Sequence, residues 1–442
     1  MAPHSTSAAA ANRALADATP ANAAPANAAL ANPAPANATP TSASPFVLAH
    51  ADAAFARDPY PTYQRLRDTA PLCRQPDGSV FLSRYDDVRA VISDAERFSS
   101  DKRVDFLPKF GQSPLYEHHT TSLVFNDPPA HTRVRRLLSP FFSAQAMRRM
   151  EAGVAANVDE LLDRAAERGV IDVMSEFALV IPLNLVCGLL GVPPAEREPL
   201  RHWASMILGG LEPVRTPAQI AAGHQAVLDF KAYLRDLIAA KRRRSIPADQ
   251  PDVLDMLIHE HDSGSGLTED EIVHNCIFML NAGHDTTTSF ITNGIDLLLR
   301  FPDQKARLAA DPALLRSAIE EMLRYESPLQ IGNRKALTDC DIGAERFPAG
   351  TFFHLGIGAA NHDERQFPDA DAFDVARNPN RHIAFGHGIH FCAGNAVARM
   401  EAGLAFGRLL ARFPRFERAG PALRPPRWRF RIIDELKIDL RV

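Results

Sequence analysis

Cysteine is scarce in this chain. Five are scattered along 442 residues (Cys73, Cys187, Cys276, Cys340 and Cys392), odd in number and without a CxxC pair. That argues against a disulfide framework or a paired-cysteine zinc site and fits a reducing cytoplasm. Long apolar runs are also missing, since none reaches the ~18 residues that cross a bilayer. The longest, near 177–192, is broken by Pro182, Asn184 and Gly188. No basic start followed by an apolar core marks a secretory leader, so a cytoplasmic protein without a membrane span is expected. Charge of one sign is lacking too. A net charge of −4 gives no electrostatic basis for nucleic-acid binding, and Lys241-Arg242-Arg243-Arg244 reads as a solvated helix end.

What remains is 46% hydrophobic and 23% charged, an ordinary globular composition with ample core. Residues 1–45 are almost wholly Ala, Pro, Asn, Thr and Ser. They have nothing large to bury and are expected to be a disordered extension. Residues 46–442 contain no linker-like stretch and read as one catalytic domain. Its pattern is mainly α with small β-sheets. Pro76-Asp77-Gly78 joins strand-like runs at 72–75 and 79–83, a hairpin signal. Further strands are expected at 334–338, 351–355, 428–433 and 436–442. The stretch 99–126 reads as a long irregular loop, the kind that often forms a lid.

Chemistry concentrates at Phe385-Gly386-His387-Gly388-Ile389-His390-Phe391-Cys392-Ala393-Gly394. Three glycines permit backbone angles and close approaches that a Cβ forbids, and the run 396–413 has helical apolar spacing. A cysteine at the start of a helix meets free N–H groups and the positive dipole end, which favours its thiolate. Such a thiolate is a nucleophile, a redox group or a metal ligand. The plain alternative is an inert buried cysteine beside a glycine turn.

Three other stretches carry polar residues on helical patterns. After Asp127-Pro128-Pro129, His131 and Arg135 are four apart and share a helix face. Thr268 and Glu271 form a capping box that opens a proline-free helix of about 33 residues, about 50 Å long. Midway along it stands Ala282-Gly283-His284-Asp285-Thr286-Thr287, whose glycine costs about 1 kcal/mol there. Local violations in a central element are where function is expected. Finally, Glu321-Met322-Leu323-Arg324 follows the helix start at Asp311-Pro312, and alone would be a surface ion pair.

Taken together and in this order, these strings resemble the cytochrome P450 family, soluble bacterial type. The resemblance spans roughly residues 46–442 and includes Phe-x-x-Gly-x-x-x-Cys-x-Gly at Phe385, Gly388, Cys392 and Gly394, with Gly386 directly after the Phe and also expected at the cofactor. It implies a P450-like fold with haem b between the long central helix and the cysteine-loop helix. Cys392 would be the axial ligand of the haem iron, and His131, Arg135, Arg334, His382 and His390 would contact the haem carboxylates. Asp285 and Thr286 would relay protons for catalysis. Glu321, Arg324 and Arg377, the last in a Phe-Asp-x-x-Arg-x-Pro-Asn-x-His string, would be a buried structural cluster. Asn281, Ala282, Leu329, Ile331 and Ile432 would line an apolar substrate pocket.

The implied reaction inserts one oxygen atom of O2 into an apolar small molecule, in secondary metabolism. Its electrons would come from NAD(P)H through a ferredoxin and its reductase, since no flavin or iron–sulfur segment is present in the sequence. Arg133, Arg136 and Arg399 would form the docking face, and a monomer is expected. The rival readings are a peroxide-driven haem-thiolate enzyme, which would replace the acid–alcohol pair, and a haem-thiolate sensor, which would carry an output module.

Overall fold

The computed structural model describes residues 46–244, 251–264 and 266–441. The stretch 1–45, expected from composition to be disordered, lies outside the described residues.

One helix sets the frame. The Thr268 hydroxyl accepts from the Glu271 N–H at 3.1 Å, while the Glu271 carboxylate accepts from the Thr268 N–H at 2.8 Å. The helix then runs unbroken from Glu269 to Arg300, 32 residues or about 48 Å. It ends where Phe301 precedes Pro302. It packs against the helices Val180–Leu189, Arg197–Gly209 and Asn395–Arg412. Glycine permits two of these crossings. A Cβ on Gly283 would stand 2.8 Å from Val186 Cγ2, and one on Gly294 would overlap the Phe406 ring. Gly283 is therefore no kink: it lets Val180–Leu189 lie close, and Gly294 does the same for the helix that follows Cys392.

A five-stranded sheet lies beside the helices in the order Leu72–Arg74, Val80–Leu82, Phe352–Gly356, Ile331–Ala336, Phe98–Ser99. The first pair is the expected hairpin, with Gly78 at φ +83° in its turn. Strand Val80–Leu82 runs parallel to Phe352–Gly356, and the other neighbours are antiparallel. A smaller sheet joins Val170–Asp172, Lys437–Asp439 and Glu417–Arg418.

Three local expectations are corrected. Residues 99–126 are no loop but carry the helices Arg103–Phe110 and Pro114–Thr121. Pro108, Gly111 and Pro114 had hidden their periodicity, and the Ser113 hydroxyl caps the second. The run 428–433 forms only an isolated bridge, Phe430 to Leu329. Arg429 and Arg431 are buried there and bind carbonyls and Glu326 instead of leaving a clean alternation. Within the basic run, Lys241 is buried between Asp252 and Asp255 and is not solvated.

Glu321 and Arg324 sit on the helix Leu315–Tyr325 and are wholly buried. Two parallel bonds of 2.8 Å join them. Glu321 also accepts from Arg377 Nε, the Asp374 N–H and the Asn380 amide. Arg324 donates to the carbonyls of Asn361, Ala370 and Ala372. Both oxygens of Glu321 and all three nitrogens of the Arg324 guanidinium are bonded, the condition under which a buried ion pair stabilises. It ties the segment 361–380, which leads into the cysteine loop, to the helical body. Removing either partner alone, by Glu321→Ala or Arg324→Ala, is expected to cost about 3–5 kcal/mol in denaturant unfolding. The double variant should cost less than the sum; additive losses would show that the two do not act as a unit.

Candidate functional site

The cysteine loop is folded by its own backbone. Gly386 and Gly388 have φ of +71° and +69°, and a Cβ on Gly388 would stand 3.1 Å from the Ser93 carbonyl. The Cys392 N–H donates to the Phe385 carbonyl at 2.9 Å and closes the loop. Gly394 differs. Its φ is an ordinary −83°, and a Cβ there would meet only the Phe142 ring, at 3.9 Å. The chain itself does not demand glycine at that position.

The helix starts at Asn395, beyond Cys392. Burial pushes the Cys392 thiol up, and the Gly394 N–H with Arg135 and Arg399 only partly offsets this. The helix end alone therefore does not hold a thiolate, contrary to the expectation from sequence.

Around this loop gathers an excess of positive charge. Arg135 donates to the Phe391 carbonyl at 2.8 Å. The rings of His131 and His390 lie 4.2 Å apart. Neither His131 nitrogen, nor His390 Nε2, nor Lys102 Nζ has a hydrogen-bond partner, although all are buried. Arg334 donates only to the carbonyl of its neighbour Asn333. Burial, with the charges of Arg334, His131 and Arg135, pushes His390 down to about 2. Burial pushes Arg334 down to about 10 and, together with Arg334, Lys102 down to about 7. The nearby carboxylate, Asp127, is already bonded to Ser99 and to the Ser100 N–H. Cys392 and Arg334 are half-buried. A surface depression of about 470 Å³ beside Arg84, Asp86 and Glu345 contains none of these residues.

Expected site residues are not all together. His382 is separate: its Nε2 donates to Glu320 at 2.9 Å, and its Nδ1 accepts from the Ala384 N–H. Both nitrogens are taken, so its expected contact with a haem carboxylate is corrected to a supporting one. Arg399 also binds Glu320, at 2.6 and 2.8 Å, and lies over the Phe385 ring. Arg133 is paired with Glu271. Of the three arginines expected on a docking face, Arg136 alone is exposed and without a carboxylate partner among the described residues. Lys102 was missed by sequence reasoning because a lone lysine carries no pattern.

On the central helix, Thr286 Oγ1 donates to the Ala282 carbonyl at 2.5 Å. The hydroxyl proton is thus occupied and its lone pairs face outward from that bond. His284 Nδ1 donates to Asp285 Oδ1 at 2.7 Å, and His284 Nε2 is buried without a partner. His284 was legible only as the variable position of its motif. Asn281 Oδ1 is likewise buried and unpartnered. Leu329 and Ile432 pack on the apolar cluster that includes Met279, Leu280 and Phe430. Ile331 does not. It stands on the opposite face of its strand from Arg334 and packs with Leu48, Tyr63 and Phe81, so its expected place in the pocket is corrected.

The Glu320 carboxylate resists its own burial. Hydrogen bonds from Arg399 and His382 outweigh desolvation and hold it at about 2. Its folded value lies below the unfolded ~4.3, so its contribution is complete above about pH 4.3 and is lost as pH falls toward 2. The advantage of wild type over Glu320→Gln in urea unfolding should shrink by about 2–3 kcal/mol across that window. A constant difference would contradict this.

Comparison with known proteins gives the family. Residues 212–422 match the Cytochrome P450 family. The chain is 37% identical over 395 residues to cytochrome P450 107B1 of Saccharopolyspora erythraea, covering 86% of this chain and 94% of that one. It is 36% identical to vitamin D(3) 25-hydroxylase of Pseudonocardia autotrophica, over 81% of this chain and 87% of the relative. The crystal structure of P450BioI, in complex with acyl carrier protein ligated to hexadec-9Z-enoic acid, matches at TM-score 0.82 and 32% identity. It covers 88% of this chain and 100% of that one, which bears out the mainly-α architecture with small sheets. With such identity across most of its length, the chain belongs to the cytochrome P450 family, whose members are haem b monooxygenases supplied with NAD(P)H-derived electrons through partner proteins.

Proposed function

We propose that residues 46–442 form the catalytic domain of a cytoplasmic haem-thiolate monooxygenase of secondary metabolism. It acts on a small, largely apolar molecule and receives electrons from a ferredoxin and its reductase. The observation that carries this reading is the set of unpaired cations around Cys392. Lys102, Arg135 and Arg334 offer more positive charge than the protein neutralises, and the unpartnered ring nitrogens of His131 and His390 stand beside them. A buried unpaired charge costs several kcal/mol, and the two carboxylates of haem b are the groups that would relieve it. The open space beside Gly394 fits a flat group lying against the loop.

In this reading Cys392 would hold the haem iron through its sulfur, and Phe385 and Gly386 shape the loop that presents it. His131, Arg135, Arg334 and His390 would hold the cofactor carboxylates by charge-assisted hydrogen bonds. Haem b bound here supplies reductive activation of O2 and transfer of one oxygen atom to the substrate, the other leaving as water. Asp285 and Thr286 are the proton carriers. His284 fixes one oxygen of Asp285, which leaves the other to collect a proton from solvent. The Thr286 hydroxyl, donating to Ala282, can accept a hydrogen bond and orient what lies beside it. Asn281, Ala282, Leu329 and Ile432 form the substrate wall, where the apolar residues exclude water.

The intact Asp285-Thr286 pair favours the O2-using reading over a peroxide-driven one. For docking of the electron donor, the exposed Arg136 offers a basic group that suits an acidic partner. Replacing Thr286 by Ala should leave haem content unchanged. With ferredoxin and reductase it should divert electrons to peroxide, with product per NAD(P)H falling by roughly 100-fold. Unchanged coupling would remove Thr286 from the relay. Separately, His131→Ala with Arg135→Ala should lower haem content in pyridine haemochromogen assays without unfolding the apoprotein.

A further inference from the structure

A second group of cations lies beyond the cofactor cluster, and the haem reading does not use it. Lys109 ends the helix Arg103–Phe110, and its Nζ lies 5.6 Å from the Phe106 ring centre and 6.0 Å from that of Phe110. The Arg215 guanidinium lies 5.4 Å from the Phe110 ring centre and donates to the Gly210 carbonyl at 2.9 Å. One buried ring therefore has two cations beside it. Behind them is Arg429, buried, with hydrogen bonds to the carbonyls of Leu211 and Ile331. Lys102, buried and without a hydrogen-bond partner, feels both Arg334 of the cofactor cluster and Arg429 of this one.

The carboxylates nearby are fewer than the cations. Glu212 accepts the N–H groups of Trp428 at 3.0 Å and Arg429 at 2.9 Å through one oxygen and keeps the other buried without a partner beside Arg429, and Asp105 binds Lys335 at 2.8 Å through one oxygen while the other is buried and unpartnered. Among the described residues no carboxylate pairs with Lys102, Lys109 or Arg215 within salt-bridge distance. His119 and His354 are held near 3 by burial and the surrounding cations, so they are neutral and add no further positive charge. The Lys109 side chain is exposed at the edge of this group. Partial burial and the charges of Arg429, Arg215 and Lys102 push it down to about 7. The cations border the apolar cluster of Phe106, Phe110 and Phe430, against which Leu329 and Ile432 pack.

Clustered like charges beside an apolar wall repel until an anion arrives. We propose that the substrate carries a carboxylate at one end of an apolar body, held by Lys109 and Arg215 with Lys102 and Arg429 behind them. The inference rests on the oxygenase reading and narrows its substrate class. Arg215 offers the planar fork that suits a carboxylate and Lys109 a point charge, while the apolar cluster takes the body.

The test uses full-length ferric holoenzyme and two acid–ester pairs, dodecanoate with methyl dodecanoate and lithocholate with methyl lithocholate. Equilibrium dialysis measures binding, and the spin-state change in the visible spectrum is read in parallel. At least one acid should bind about tenfold or more tightly than its ester, a difference of about 1.4 kcal/mol. In Lys109→Gln/Arg215→Gln that preference should vanish, mainly through weaker acid binding, with haem content unchanged. Equal binding of acids and esters, no binding of either acid, or an acid preference that survives the double variant would overturn the proposal. Haem content and the spectrum of the reduced CO complex, measured on the same preparations, report separately on the oxygenase reading.

Discussion

Positive charge without a partner is the constraint on which this structure turns. Lys102, Arg135 and Arg334 are drawn in around the cysteine loop, and Asp127 is spent on Ser99 and Ser100. Placing such charges in the interior opposes folding unless something anionic completes them. The site is therefore built as half of an ion-pair network, and the other half belongs to a ligand. Cys392 follows the same logic. Its burial disfavours the thiolate, so its sulfur too awaits a positively charged partner.

The contrast with the Glu321–Arg324 cluster is instructive. There the charged groups of Glu321 and Arg324 are buried more deeply than those of Arg135 and Arg334, yet their donors and acceptors are matched within the chain. That cluster is architecture, and it anchors the segment entering the cysteine loop. A further network, Glu320 with His382 and Arg399, supports the loop from behind. Satisfied charges hold the frame, and unsatisfied ones mark where a ligand is to be bound.

Much of this was legible in the sequence, for identifiable reasons. The central helix announced itself by its capping box and uninterrupted apolar pattern, and the loop by its glycines. The hairpin turn at Gly78 needed only local chemistry. What escaped was set by tertiary partners. His382 sits in a motif, but only the presence of Glu320 shows that its ring is already engaged. Ile331 is apolar and near the right position, yet the two-residue period of its strand turns it away from Arg334. The helices within 99–126 were obscured by Pro108 and Gly111, and with them Lys109, whose neighbours Arg215 and Arg429 come from distant segments. Lys102 could not have been found at all without knowing what surrounds it.

The central claim is that Cys392, framed by unpaired cations, is the sulfur ligand of a bound haem. The most direct measurement is the difference spectrum of the reduced protein with and without carbon monoxide, taken on wild type and on Cys392→Ser. The account predicts the red-shifted Soret band of a thiolate–CO haem in wild type and its loss in the variant. A wild-type spectrum without that band, or a band that persists in Cys392→Ser, would contradict it.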